Sequence, residues 1–421
     1  MGGTSKLRVV LDARLSDGDP GGVQQTILGL AHGLSSLDGD GEEYLFLGDP
    51  ARMGWLAPHL RGRCKALPLP AANPGLLRTT ARKLGLLDPI ARLVYEGPLG
   101  ALAPVELPAS DGTIERAGAD VMHFTTQAGF RTRVPSVYVP HDLLHLHHPR
   151  YFPPFALRWR AAHYGPLSEQ ARFVVALTQF GKRDLVERLR IPPAKVPVIP
   201  WAPVLQAYAD PTAAMLDEAR TRLALPERFL LYPAQTHPHK NHLALLDALA
   251  RLRDELGVTV VAVFTGKPTS FRAVLDARIR TLRLSGQARF LGFVSPSDIR
   301  CLYRLATLLV YPSRFEGFGM PIWEAFEAGL PVVSSNAAAL REVTAGAALL
   351  FDPDDPPGFA RALAEALADP GLRESLISRG REVVRGKDWR EVALRYRALY
   401  RAAAGQTLGE EDRALLASMT R

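Results

Sequence analysis

Tyr311-Pro-Ser-Arg-Phe-Glu316-Gly-Phe-Gly-Met320-Pro-Ile-Trp-Glu324-Ala-Phe-Glu-Ala-Gly329-Leu-Pro-Val-Val333 is the stretch whose reading decides the fold. Residues 306–311 lead into it as an apolar run of strand length that ends in a Pro-Ser turn. Pro321 stands where a first helical residue belongs, and residues 322–328 have helical composition. Gly329 ends that helix, and residues 330–333 open the next strand. The unit is strand, glycine loop, short helix, strand, the building block of a parallel α/β sheet.

The loop carries chemistry as well. Gly317 and Gly319, on either side of Phe318, have no Cβ and let the backbone close around a ligand. The amides of residues 320–322, at the helix start, favour an anion such as a phosphate. Glu316 and Glu324, eight positions apart, flank that anion site. Carboxylates repel phosphate, so their use is to grip hydroxyls on either side of it, one on a sugar and one on a ribose. Each such charge-assisted bond is worth about 1.5–3 kcal/mol. Alone, either glutamate reads as an ordinary solvated charge; set around two glycines and a helix start, the pair reads as a ligand site.

Outward from this stretch, a chain of 421 residues exceeds one ordinary domain, and two are expected. Hydrophobic content of 47% and charged content of 22% are those of a globular protein. Cys64 and Cys301 form neither a disulfide framework nor a metal-ligand spacing, which suits a reducing compartment. The apolar run at 7–11 is too short for a signal peptide, and no run approaches the roughly 20 residues of a spanning helix, so a cytoplasmic protein is expected. A formal charge of +8 permits nucleic acid, anionic membrane or phosphorylated substrates as partners.

Residues 7–11 read as a first strand, followed by a loop ending in Gly21 and Gly22 and a helix over 23–37, which is phosphate-binding logic again. Asp17-Gly-Asp19 in that loop is turn chemistry, not a metal-binding pair. Strands follow at 121–124 and 136–139, and His141 sits just past the second, at a carboxyl strand end where α/β ligands bind. His145, His147 and His148 lie on a turn before Pro149 without a set that would complete a zinc site. A strand at 173–177, a helix at 179–189 capped by Thr178 and a strand at 196–199 close the first domain. Pro197, Pro200 and Pro203 stiffen the connector. The second sheet opens at 229–232, and Lys240 stands at the next helix entrance, suited to a diphosphate. The βα alternation continues through 258–265, 288–291 and 308–310. Residues 337–343 and 348–351 finish the sheet, helices fill 356–368, 372–384 and 389–403, and 406–421 is expected to be a frayed tail.

Between 52 and 104 the basic residues Arg61, Arg63, Lys65, Arg78, Arg82, Lys83 and Arg92 alternate with leucines. Such a stretch can lie on anionic lipid or form ordinary helices whose arginines face water. With only Trp55 and Tyr95 as aromatics it is a poor nucleic-acid surface.

Glu316-Gly-Phe-Gly-Met-Pro-Ile-Trp-Glu324 resembles the E-x7-E signature of the retaining, nucleotide-sugar-dependent glycosyltransferases of family 4, most densely over 229–355. The resemblance implies the α/β fold GT-B, with two Rossmann-like domains facing across a cleft. The expected division is 1–203 on the acceptor side, 204–385 binding the nucleotide sugar, and 386–421 as a crossover helix and tail returning to the first domain. It implies that Glu316 holds the donor sugar and Glu324 the ribose, that His141 resembles a cleft histidine beside the sugar, and that Gly21 and Gly22 match a glycine pair facing the cleft. Lys240 resembles the family's diphosphate lysine, and the backbone around Val294 its nucleobase contact. An arginine common five or six positions before that lysine is replaced by Gln235 and Ala234, which leaves His237 or His239 to share the second phosphate charge.

The function so implied is metal-independent transfer of a hexose, of mannose or rhamnose type, with anomeric configuration retained. The donor would be GDP-, UDP- or dTDP-linked and the acceptor a glycan or lipid-linked glycan of bacterial surface polysaccharide, with no cofactor, no nucleic acid, and peripheral contact with the inner membrane face. A GT-B sugar-nucleotide epimerase is the alternative, and a non-catalytic nucleic-acid-binding protein a remote one.

Overall fold

The computed structural model describes residues 6–15, 21–38, 41–69 and 105–420. Asp17 and Asp19, and the basic residues Arg78, Arg82, Lys83 and Arg92, lie outside the described residues. The chain forms two compact units: Met1–Leu177, Gly181–Ile199 and Arg390–Arg421 make the first, Thr178–Phe180 and Pro200–Trp389 the second.

The first unit is built on six parallel strands: β1 (Leu7–Asp12), β2 (Glu42–Gly48), β3 (Cys64–Pro68), β4 (Val121–Phe124), β5 (Ser136–Tyr138) and β6 (Phe173–Val174), in the order β3-β2-β1-β4-β5-β6. Helix α1 (Gly22–Ser35) connects β1 to β2. Val9, Val10, Leu11, Val121, Met122 and Phe124 are all fully buried, as expected for central strands covered on both faces. The expected strand at 196–199 is reduced to a single bridge between Ala176 and Val198.

The second unit repeats the design. Its strands are β7 (Phe229–Pro233), β8 (Val261–Thr265), β9 (Ala288–Gly292), β10 (Leu308–Tyr311), β11 (Val332–Ser335) and β12 (Leu349–Phe351), all parallel, in the order β12-β11-β10-β7-β8-β9. Counted from its own first strand, this is the same doubly wound sequence as in the first unit. Helix α2 (His242–Leu256) follows β7, and helix α3 (Met320–Ala328) follows β10. Residues 337–343 do not add a strand. Ala339, Leu340 and Val343 are buried at helical spacing in and just before the short helix Leu340–Thr344, and only Leu349–Phe351 extends the sheet.

The end of the chain returns to the first unit. In helix α4 (Trp389–Ala403), Val392, Tyr396, Leu399 and Tyr400 form a buried stripe, and the Tyr400 hydroxyl lies 2.8 Å from His123 Nδ1. The expected frayed tail is instead helix α5 (Glu410–Thr420), with Met419 buried. Its last carbonyls hold it in place: Val198 N–H donates to the Met419 carbonyl at 2.8 Å, and Lys182 Nζ to the Thr420 carbonyl at 2.6 Å. Arg401 bridges α4, α5 and β2, meeting Asp412 at 2.8 Å and Glu42 at 2.9 Å, and Arg63 reaches Glu42 from beside β3 at 3.2 Å. Among the described residues, no helix is long and apolar enough to cross a membrane.

Breaking this network should be expensive. Arg401→Met keeps the packing but leaves the Glu42 and Asp412 side chains, only 4% and 5% exposed, short of their countercharge. The expected loss is about 3 kcal/mol in urea unfolding, partly recovered when Glu42→Gln is added. An unchanged midpoint in Arg401→Met would show the network to be idle.

Candidate active site

At the centre of the second sheet the strand order reverses, with β7 beside β10 (Leu230 opposite Leu308, Leu231 opposite Leu309). Connections leave these two strands in opposite directions, so the loops at their carboxyl ends part around a crevice, the usual ligand position of an open α/β sheet. The loop after β7 carries Lys240, and the loop after β10 carries Glu316. The two loops are stitched together by Asn241 Nδ2 donating to the Pro312 carbonyl at 3.1 Å and by Arg314 N–H donating to the His239 carbonyl at 2.8 Å. The Tyr232 hydroxyl donates to the Lys240 carbonyl at 2.6 Å and fixes that turn from below. Asn241 adopts φ 57°, ψ 37°, a left-handed conformation that asparagine tolerates better than most residues.

The stitching brings the two charged side chains together. Lys240 Nζ lies 2.6 Å from Glu316 Oε1, with the side chains 18% and 12% exposed. The ammonium also sits 5.8 Å from the centre of the Tyr311 ring, within cation–π range. Burial first, then the negative charge of Glu316, hold the Tyr311 phenol well above its ordinary pKa, so it stays protonated beside that carboxylate. From sequence Tyr311 reads only as a strand end; its second role depends on which way the loop folds back.

Beyond Glu316 the chain runs through Gly317 and Phe318 to Gly319, whose φ of 89° and ψ of 53° begin α3. A Cβ at Gly319 would come within 2.9 Å of Leu340 Cδ2, a side-chain end that can shift, so it is the backbone conformation that favours glycine here. The helix start offers fewer donors than the sequence suggests. Pro321 has no N–H, and the Ile322 N–H donates to the Gly319 carbonyl at 2.9 Å, so neither serves as an anion donor there. Met320 is buried at the first helical position.

Glu324, one turn into α3, is buried, and its Oε2 accepts a hydrogen bond from the Tyr303 hydroxyl at 2.6 Å. Burial raises its pKa to about 7, against the opposing effect of the Tyr303 bond. Tyr303 is not visible in the sequence as a site residue, since on the helix Pro296–Leu305 it occupies an ordinary core position. The other expected donor contacts lie around the same sheet edge. Gln235 Oε1 accepts from His237 Nε2 at 3.0 Å, and the His237 and His239 rings stack at 5.7 Å. Burial and then the Lys240 charge lower the His237 pKa, so at neutral pH it brings an N–H and not a charge. Val294 is half-buried just past β9, next to the exposed Phe293.

The remaining expected residues belong to the first unit. Gly21 caps α1 and Gly22 is its first residue; a Cβ on either would meet nothing within 4 Å, so the packing of the unit does not require glycine at these positions. His141 follows β5 with φ 68°, unusual for a residue with a side chain. Its Nε2 lies 2.8 Å from the Thr125 carbonyl, to which it donates. The Thr125 hydroxyl donates to the Asp12 carbonyl at the end of β1, and the Asp12 carboxylate takes the Arg14 guanidinium in a fork at 2.8 and 2.7 Å. Burial lowers the His141 pKa to about 4, so the ring is neutral at pH 7 with Nδ1 as its acceptor nitrogen. His147, read as a turn histidine, pairs with Asp184 at 2.8 Å, and among the described residues no group of three His, Cys, Asp or Glu side chains could hold a metal ion.

Two doubly wound units of one strand order, with the last helices returned to the first, make the GT-B fold. The Anabaena protein HepE, solved with UDP and glucose, has this fold with a TM-score of 0.66 at 20% identity, covering 94% of this chain and 100% of its own. Residues 216–383 match the family Glycosyl transferases group 1, and residues 77–202 match Glycosyltransferase Family 4. O-antigen chain mannosyltransferase B of Escherichia coli is 26% identical over 61% of this chain and 70% of its own length. The D-inositol 3-phosphate glycosyltransferase of Salinispora arenicola is 30% identical over 71% of this chain and 74% of its own. The serotype-specific mannosyltransferase WbdA of Escherichia coli is 30% identical over 49% of this chain, which spans only 26% of that relative. The chain belongs to glycosyltransferase family 4.

The buried carboxyl of Glu324 makes a signed prediction. Its folded pKa of about 7 lies above the ordinary 4.5, so the folded state binds its proton more tightly than the unfolded chain does. Stability from this group is complete below about pH 4.5 and is lost as pH rises through 7, about 3 kcal/mol in all. Glu324→Gln should therefore gain melting temperature relative to the parent between pH 5 and pH 8. A constant difference across that range would mean the carboxyl is not desolvated.

Proposed function

We propose that the protein transfers a hexose, of mannose or rhamnose type, from a nucleoside diphosphate to a glycan or lipid-linked glycan, retaining anomeric configuration. The observation that carries this proposal is the Lys240–Glu316 pair at the central crevice of the second sheet, with the buried Glu324 eight residues further along. The names of two mannosyltransferase relatives support it, as does HepE, a protein of the same fold solved with UDP and glucose. They favour transfer over epimerisation, the other reaction such a crevice could host.

In this proposal Lys240 meets the diphosphate and stabilises it as leaving group without a metal. Glu316 accepts from a hydroxyl of the transferred sugar, and Glu324 from the ribose. Gln235, Gly317, Phe318, Gly319, Met320 and the backbone at Val294 complete the donor contacts. Gly21, Gly22 and the neutral His141 are further proposed sugar-binding residues. The acceptor oxygen bonds to the anomeric carbon as the bond to the phosphate oxygen breaks, and the departing phosphate takes the acceptor proton.

The two glutamates then differ in kind. Glu316 and a diphosphate oxygen compete for one ammonium, so Glu316→Gln should bind nucleoside diphosphate at least as tightly as the parent. Its kcat should fall about 100-fold, or about 2.7 kcal/mol, because the lost charge faced the reacting sugar. Glu324→Gln should weaken the nucleoside diphosphate by about 1–3 kcal/mol and lower kcat less. Calorimetry beside saturation kinetics reads both halves, and the opposite pattern would exchange the two roles. Transfer should also persist in excess EDTA; loss reversed by manganese or magnesium would remove the metal-free step.

A further inference from the structure

The connector stiffened by Pro197, Pro200 and Pro203 enters the second unit at Pro200 and is fixed there at two places. At the near end the Trp201 indole, 6% exposed, meets the Phe318 ring edge-on, with centroids 5.6 Å apart and planes at 63°. Phe318 meets Trp323 in the same manner at 5.0 Å and 66°, and the Trp323 indole N–H donates to the Val343 carbonyl at 3.0 Å. At the far end Arg300, on the helix Pro296–Leu305, donates to the Leu205 carbonyl, to the Tyr208 carbonyl at 2.6 Å, and to the Asp210 carboxylate.

The ring contact falls on the glycine-bounded part of the candidate donor loop, where the Gly317 carbonyl also accepts from the Thr178 hydroxyl at 3.3 Å. Gly317 and Gly319 flank Phe318, and glycines admit many backbone conformations. Phe318 is the one side chain between them, so its ring anchors the tripeptide. That anchor has two aromatic walls, Trp323 from α3 and Trp201 from the connector. Edge-on aromatic pairs of this geometry are attractive beyond the area they bury. We propose that Trp201 is a positioning residue of the donor loop: by fixing the Phe318 ring it sets the Gly319 turn and the start of α3. The proposal rests on assigning the loop to the donor, but the position of the loop can be measured without any ligand.

Hydrogen exchange by mass spectrometry on the full chain provides the test, read on the peptide covering residues 315–323. Trp201→Ala should speed exchange there about tenfold, and Trp201→Phe, which restores a ring, should bring it back to within about threefold of the parent. Arg300→Ala, which opens the other end of the connector, should lower the melting temperature and leave that peptide close to the parent. Unchanged exchange in Trp201→Ala, or an equal rise in Arg300→Ala, would overturn the proposal. Titration with UDP and with GDP separates it from the donor assignment. If the parent binds neither nucleotide, the assignment of the loop fails while the exchange result stands. If the parent binds one and Trp201→Ala binds it equally well, positioning of the donor loop is overturned.

Discussion

Everything in the second unit follows from one adjacency, the parallel pairing of β7 with β10. Parallel strands cannot be joined by a tight turn, so each must send its chain out through a loop and back through a helix. Where two neighbours send their chains opposite ways, their loops stand side by side with nothing between them. Lys240 and Glu316, 76 residues apart in sequence, become partners at 2.6 Å because of that geometry. The pairing Leu230–Leu308 and Leu231–Leu309 supplies the register, and the hydrogen bonds of Asn241, Arg314 and Tyr232 convert proximity into a defined contact. The first unit has the same reversal between β1 and β4, and there the bond from Thr125 to Asp12 crosses it, while His141 holds Thr125 from the β5 side.

The two carboxylates of the central stretch live under different electrostatic conditions. Glu316 faces an ammonium, so its desolvation is offset by direct attraction. Glu324 is bonded to a phenol, which brings no countercharge, and its proton is held correspondingly tightly. A buried carboxylate without a countercharge lowers stability when it ionises.

Much of this was legible from apolar runs, since strands buried on both faces announce themselves by composition. Strands β4 and β7 and helix α4 fall within a residue of where the pattern puts them. The failures have definite causes. Strand β2 begins with two glutamates and β3 with Cys-Lys, and the glutamates are neutralised by partners far along the chain, Arg401 and Arg63 for Glu42, Arg8 and Lys65 for Glu43. Helix α5 looks like a tail because its few apolar residues gain meaning only once Val198 and Lys182 are beside it. At the site, residue types were readable but orientations were not. Nothing local shows that Ile322 donates its amide to Gly319, or that Tyr303 reaches Glu324.

The return of α4 and α5 has a bearing on how the molecule comes into being. The second unit is almost one uninterrupted length of chain, whereas the first needs residues from both extremes. Glu42 waits for Arg401, and Val198 for Met419, so on a ribosome the early strands are made long before the groups that complete them. Synthesis at about 5–20 residues per second puts that wait at tens of seconds. Through this interval β2, with its seven buried residues, has no α4 to cover it. The part translated first is therefore finished last.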